Sequence, residues 1–360
     1  MLNKKPHEKN IILDELIAKL SVFSLEKRRL NCLSQILLGL MTVQIVTLSA
    51  IGSFLSGTAK LTSKIERVER FIRQIKFNEG HLAEIIVEIL KLKKLILVID
   101  RTCWKQGSKF LNFLVLSVYV NGKAVPILWK LLDKEGNSEL DCRKSLLNKC
   151  IEIFGFKRID FILGDREFNG KEWLKYLLNN RIDFCMRIKK NTLINGKRAE
   201  IVLCSLKGGK SIVLRGKKKV LGLEAYICGS RNKKGELMIL LSSMRSKVLK
   251  KYRQRWSIEV SFKQLKSDGF DLEKTGIKDS ERLKTLCSLL SLAAALVVAN
   301  GKHLEKRSVR EIKKHGYKAI SLFKLGIEEL RHWILNCELF IKNILAFIHS
   351  ITISKVLYRT

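Results

Sequence analysis

Apolar residues recur at helical spacing through about the first 85 positions. Leu61, Ile65, Val68, Ile72 and Ile75 follow at alternating steps of four and three, one face of an amphipathic helix. Ser63 with Glu66 predicts a capping box at its start. Lys60, Lys64 and Arg67 line a flank of that helix, and Arg70 and Arg73 carry the charge further round. Ser49 to Leu55 predicts a short helix closed by Ser56-Gly57, giving a pair that resembles a helix-turn-helix. A bundle helix with a solvated charged face reads this segment equally well.

From Lys93 the period changes. Leu95 to Ile99 is a continuous apolar run, expected of a strand buried on both faces and closed by Asp100. Phe110–Val120 and Ala124–Leu132 predict two more strands, joined by Asn121-Gly122, a favoured two-residue hairpin turn. Then come a helix over 139–154, a strand over Ile159–Leu163 running into Gly164-Asp165, a helix through Trp173, Leu174, Leu177 and Leu178, and a strand over Ile182–Ile188. This order predicts an α/β fold, a mixed sheet flanked by helices. Between about 191 and 246, short apolar runs alternate with Gly and Lys clusters, as in a β-rich insertion with positive loops. A helix bearing Tyr252, Arg255, Glu259 and Lys266 follows and stops at Gly269. The fourteen-residue apolar run Leu286–Ala299 is too short to cross a bilayer and reads as a buried helix. A Lys-rich joint near 302–314 leads to a helical C-terminal piece. The predicted division is 1–88 (N-terminal helical), 93–190 (core, first part), 191–246 (insertion), 247–305 (core, second part) and 306–360 (C-terminal helical).

Hydrophobic content of 46% supplies a packed core, which excludes a disordered basic tail. Against it stand 69 Lys and Arg to 34 Asp and Glu, a net charge of +35. Such self-repulsion points to a polyanionic partner, nucleic acid first, since no basic amphipathic membrane anchor or secretory leader stands out. Nine cysteines lie singly, without a Cys-x-x-Cys pair, which fits reduced thiols in a cytosol and excludes a disulfide frame. The histidines show no zinc-ligand spacing.

The candidate chemistry lies in Tyr252, Arg255, Glu259 and Lys266, at steps of three, four and seven. At ~100° per helical residue they share an arc of roughly 60°. Asp100 and Asp165, each ending an apolar strand, would join Glu259 if those strands are adjacent. Three carboxylates are suitable hard ligands for a pair of Mg2+ ions, the arrangement that phosphoryl transfer on nucleic acid uses. Arg255 offers a planar fork for phosphate, Lys266 a point charge and Tyr252 a hydroxyl. Singly, either Asp reads as a turn former, and Glu259 as the partner of Arg255 or Lys263. Trp104 reads as core, Trp256 as core ahead of a ring that stacks on a base, and Ile258, Phe262 and Leu265 as the stripe pinning their helix to the sheet.

The Tyr252-x2-Arg255-x3-Glu259-x6-Lys266 pattern resembles the Tyr–Arg–Glu–Lys signature of insertion-sequence-four-type transposases. Ile99-Asp100-Arg101-Thr102 with Trp104-Lys105 and Gly107 is similar to that family's first Asp block. Gly164-Asp165-Arg166-Glu167-Phe168 is similar to its second, with Phe184–Lys189 as the following strand. Pro126–Trp129 through Gly136-Asn137-Ser138, and Ser321–Lys324 with Gly326, also resemble members, so the likeness covers roughly 45–335. The resemblance implies a ribonuclease-H-like core interrupted by the β-rich insertion, and an N-terminal DNA-binding region. It implies Asp100, Asp165 and Glu259 as catalytic ligands of two Mg2+ ions, with Mn2+ able to substitute. Tyr252, Arg255 and Lys266 are implied contacts to the transposon-end phosphates, and Lys60, Lys64 and Arg67 are N-terminal candidates. Relatives hold a flipped base with an aromatic in or near the insertion, where this chain has only Tyr226. The implied activity is cut-and-paste DNA transposition of an insertion sequence: hydrolysis at the element's end, then attack of the freed 3′-hydroxyl on target DNA. Its partners would be terminal inverted repeats, target DNA and a second copy of the chain at synapsis, in a prokaryotic, nucleoid-associated setting without membrane or small-molecule substrate. A metal-dependent nuclease without strand transfer and a silent DNA-binding repressor are the rival readings.

Overall fold

The computed structural model describes residues 6–306 and 318–353, so most of the Lys-rich joint and the last residues lie outside the described residues. The helical pattern at the start of the chain forms α1 (Pro6–Leu20), α2 (Lys27–Val43), α3 (Leu48–Phe54), α4 (Leu61–Gln74) and α5 (Glu79–Ile89). Thr47 caps α3 by accepting from the Ala50 amide. The expected Ser63–Glu66 box does not cap α4: Lys60 occupies the N-cap in extended conformation, without a side-chain cap bond. Because the chain already turns into the helix there, Ser63 falls inside the first turn. The apolar face of α4 is buried at Val68, Phe71 and Ile72, whereas Leu61 is exposed.

The middle of the chain builds β1 (Leu95–Gln106), β2 (Lys109–Val120), β3 (Lys123–Leu132), α6 (Leu140–Phe154), β4 (Ile159–Gly164), α7 (Lys171–Asn179) and β5 (Asp183–Ile188). Positive φ at Asn121 and Gly122 forms the turn between β2 and β3, as their side chains allow. The strands stand in the order β3-β2-β1-β4-β5, with β1, β4 and β5 parallel and β2 and β3 antiparallel to their neighbours. Leu97, Val98 and Ile99 are fully buried, as a central strand requires.

Beyond β5 the chain adds β6 (Leu193–Ile194), β7 (Lys197–Arg198), the one-turn helix α8 (Ala199–Val202), β8 (Ser211–Val213), β9 (Lys218–Val220), β10 (Leu223–Arg231) and β11 (Leu237–Ser242). This segment is β-rich, as its pattern predicts, and it extends the central sheet: β11 pairs antiparallel with β5, and β10 with β11. Among the described residues the outcome is a mixed sheet of eleven strands.

The last elements are α9 (Val248–Arg253), α10 (Trp256–Lys263), α11 (Ser280–Glu305), α12 (Leu322–Leu335) and α13 (Cys337–Ser350). Helix α11 contains the long apolar run and is apolar and long enough to span a membrane, yet 83% of its most apolar window is buried within the fold. It packs on β3, α2, α4, α5 and α12, a core helix. A Cβ at Gly326 would meet the Val297 carbonyl oxygen at 2.0 Å, so only glycine lets α12 approach α11 this closely. Ile258 and Phe262 hold α10 against β3, where the Ala124 amide donates to Ser261 Oγ at 3.3 Å.

Candidate active site

Asp100 and Asp165 emerge from neighbouring parallel strands. The last registered pair between β1 and β4 is Val98↔Leu163, and each Asp lies two residues beyond it. Matched positions on parallel neighbours, about 4.8 Å apart, send their side chains to the same face. Asp100 does not end its strand, as the apolar run suggests. β4 stops at Gly164, while β1 continues to Gln106 paired with β2 alone. Polar residues past Asp100 are tolerated because this stretch has lost one neighbouring strand.

Amides fix both carboxylates. Asp100 Oδ1 accepts from the Arg101 N–H at 2.8 Å, and Asp165 Oδ1 from the Glu167 N–H at 2.7 Å. The latter bond caps a short 3-10 turn over Arg166–Phe168. Burial pushes the Asp100 carboxyl up to about 7. The Arg101 amide and the Arg255 guanidinium oppose that rise, while the charges of Asp165 and Glu259 reinforce it. Asp165 and Glu259 thus both act electrostatically on Asp100.

Arg255 is the link to Glu259. Its Nη1 lies 3.4 Å from Asp100 Oδ2, and its Nη2 donates to Glu259 Oε1. The sequence offers Arg255 as a phosphate contact or as the helical partner of Glu259; the structure shows the pair with Glu259, the guanidinium buried and turned in between two carboxylates. Burial would lower its pKa; Tyr252, Glu259 and Asp100 outweigh that and raise it. Tyr252 is also buried, which pushes its hydroxyl up to about 12, and the guanidinium lies 5.7 Å from its ring centre. Tyr252 Oη and Arg255 Nε have no hydrogen-bond partner among the described residues. Buried polar atoms without partners are uncommon and cost about 1–3 kcal/mol each.

The expected single helix through these residues is uneven. Between α9 and α10 it tightens, with the amides of Arg255 and Ile258 donating to Tyr252 and Arg255 oxygens three residues back. After Lys263 it widens into a π-helical stretch over Gln264–Asp268. That stretch shifts Lys266 out of simple helical phase, and its Nζ donates to the Cys103 carbonyl at 2.9 Å and pairs with Glu273 at 3.0 Å. π-Helical turns recur at functional sites. Trp256, expected in the core, is 61% exposed, because it begins α10 on the face opposite Ile258 and Phe262. Trp104 is buried as expected and stacks on Phe113. Tyr226 on β10 is half-buried beneath the Lys217 ammonium at 6.0 Å.

The N-terminal candidates lie on another part of the molecule. Lys60 is exposed at the start of α4, Lys64 is half-buried, and Arg67 reaches Asn31 on α2 at 3.5 Å. Arg67 and Arg70 face Lys27, Arg28 and Arg29 across a groove of about 750 Å³. Sequence reasoning missed Arg28 and Arg29, although the Lys27-Arg28-Arg29 run at a helix start was a visible signal.

Carboxylate oxygens from Asp100, Asp165 and Glu259 suit a hard divalent cation. The donor chemistry thus fits a divalent metal. Among the described residues, however, no three Asp, Glu, His or Cys side chains stand as a ready-made metal site. Arg255 fills the gap between Asp100 and Glu259.

Residues 91–296 match a family model described as a transposase DDE domain. Among solved structures, a chain of the cryo-EM piggyBac transposase synaptic complex with hairpin DNA is similar over 97% of this chain and 84% of that one. The identity is 12% and the TM-score 0.47. A comparison with curated proteins finds no match.

Proposed function

The chain belongs to the transposase DDE domain family, and on that premise we propose that it is an insertion-sequence-four-type DNA transposase that excises and integrates its element by cut-and-paste. The observation that carries this reading is Asp100 on β1 and Asp165 just past the end of β4, each two residues beyond the last paired position of these parallel strands, with Arg255 joining Asp100 to Glu259. The β3-β2-β1-β4-β5 order supports a ribonuclease-H-like core over 93–190 and 247–305. In this reading 191–246 is an elaboration of that core, 1–88 a DNA-binding region and 306–360 a C-terminal element.

Asp100, Asp165 and Glu259 would hold two Mg2+ ions, with Mn2+ as a substitute. When bound, such ions activate an attacking oxygen and stabilise a leaving one. The chain's own residues supply direction: rigid β1 and β4 orient two acids, and α10 delivers the third. Arg255, turned from Asp100 and Glu259, would grip an end phosphate. Its unpaired Nε and the unpaired Tyr252 hydroxyl are donors suited to oxyanions. Lys266, once released from Glu273, adds a point charge. Water attacks first at the element's end, and the freed 3′-hydroxyl then attacks target DNA. The groove formed by Arg28, Arg29, Arg67 and Arg70, with Lys60 and Lys64 nearby, takes duplex backbone from the terminal inverted repeat. Two copies pair two ends, in a prokaryotic nucleoid.

The test incubates protein, end-bearing DNA, target DNA and Mg2+. Cleaved and joined products are expected from the wild type, and neither from Asp165→Ala, which still binds DNA. Cleavage without joining would make the protein a nuclease, and binding alone a repressor. Normal cleavage by Asp165→Ala would refute the assignment.

A further inference from the structure

The two amides that hold Asp100 and Asp165 belong to Arg101 and Glu167, and the side chains of those two residues meet. Arg101 Nε donates to Glu167 Oε2 at 2.6 Å. A continuous chain of contacts therefore runs Asp100, Arg101, Glu167, Asp165, crossing from β1 to the turn after β4. Resting on the transposase reading, we infer that Glu167 is a positioning residue whose clamp on Arg101 fixes the separation and aim of the two aspartates for divalent-metal binding.

Every remaining outlet of the clamp is tied. Glu167 Oε1 accepts from both the amide and the hydroxyl of Ser138 at 2.7 Å each. Arg143 holds Ser138 in turn, with Nε to the hydroxyl at 2.8 Å and Nη2 to the carbonyl at 2.6 Å. Arg101 Nη1 donates to Asn112 Oδ1 at 3.0 Å, and Nη2 to Asn137 Oδ1 at 3.3 Å. Fully buried Asn112 then donates to the Lys134 and Gly136 carbonyls. The loop before α6 is thus bound into the same network, and neither clamp side chain can rotate without breaking several bonds.

A partly buried ion pair adds little net stability, since desolvation offsets most of the attraction. What it supplies is direction, which outer partners of metal ligands commonly provide. The chemistry at Glu167 is specific. It accepts with both oxygens, so Gln would oppose an N–H to one of the two donor sets. Asp keeps the charge but is one methylene short of spanning Arg101 and Ser138. Arg101→Lys keeps the positive charge but loses the planar fork.

The test measures free Mn2+ by electron paramagnetic resonance in titrations of the full chain. Its arms are wild type, Asp165→Ala, Glu167→Asp and Arg101→Lys. Thermal melting confirms folding of each, and metal-free DNA binding serves as the control that a positioning role should not move. Arg101 is the more exposed partner of the pair, so its variant carries the measurement if Glu167→Asp fails to fold. The inference expects both charge-conserving variants to weaken Mn2+ binding about 10–100-fold, with DNA binding within about threefold of wild type. Wild-type Mn2+ affinity in the folded clamp variants, with affinity lost in Asp165→Ala, would overturn the clamp and leave the metal reading standing. Unchanged affinity in all three variants would overturn both.

Discussion

The acid centre on β1, β4 and α10 and the basic groove between α2 and α4 carry charge under opposite conditions. At the centre, Asp100 and Arg255 are withdrawn from water and each charge is committed to named partners. In the groove, Arg28, Arg29 and Arg70 are exposed and like-charged. Buried charges interact strongly and fall off with small displacements, whereas exposed ones are screened within a Debye length and act nearly additively. The centre should therefore respond to single atoms and the groove to ionic strength.

The largest effect separates the two regions outright. Glu259→Gln is expected to lower cleavage by at least ~10³-fold while DNA affinity stays within about threefold, read by gel shift and product assay. Loss of binding in parallel with cleavage would merge the regions. Next comes salt. If the groove neutralises about four phosphates, affinity should fall roughly 10²-fold between 50 and 200 mM salt. A flat response would remove the groove from DNA binding.

A separate effect, on stability, comes from Asp100 itself. Its folded pKa of about 7 lies above the ordinary carboxylate value, so the folded state holds a proton that the unfolded chain releases near 4. The contribution of Asp100 to metal-free stability is therefore fully present below about pH 4 and is lost as pH rises to about 7. Asp100→Asn should stabilise the metal-free protein by up to about 4 kcal/mol at pH 8, with the gain vanishing below about pH 4. Saturating Mg2+ should reverse the sign at pH 8. Denaturant melts across pH measure both. Smallest is Arg28→Gln, expected to reduce the logarithmic salt slope by about 0.9 and to alter stability by no more than about 0.5 kcal/mol.

Much of the sheet was legible because its signals are local. Asn121-Gly122 between apolar runs specifies a hairpin, and Leu95–Ile99 specifies a buried strand. The approach of Asp100 and Asp165 needed one step more, the parallel pairing of β1 with β4. What stayed hidden depends on distant partners. Nothing near Arg255 announces that it turns toward Asp100, 155 residues earlier. The persistence of β1 beyond Asp100 depends on where β4 stops. The exposure of Trp256 and the phase of Lys266 follow from local tightening and widening that a uniform helical wheel omits. Glu167 reads as an ordinary charged turn residue until Arg101 is found against it.

The most direct measurement is anomalous diffraction from crystals of the protein with end DNA and Mn2+. The account predicts manganese held by Asp100, Asp165 and Glu259, with the Arg255 guanidinium withdrawn from Asp100 onto a DNA phosphate. Manganese bound elsewhere, or these three acids left without it while Arg255 keeps its present place between Asp100 and Glu259, would contradict it.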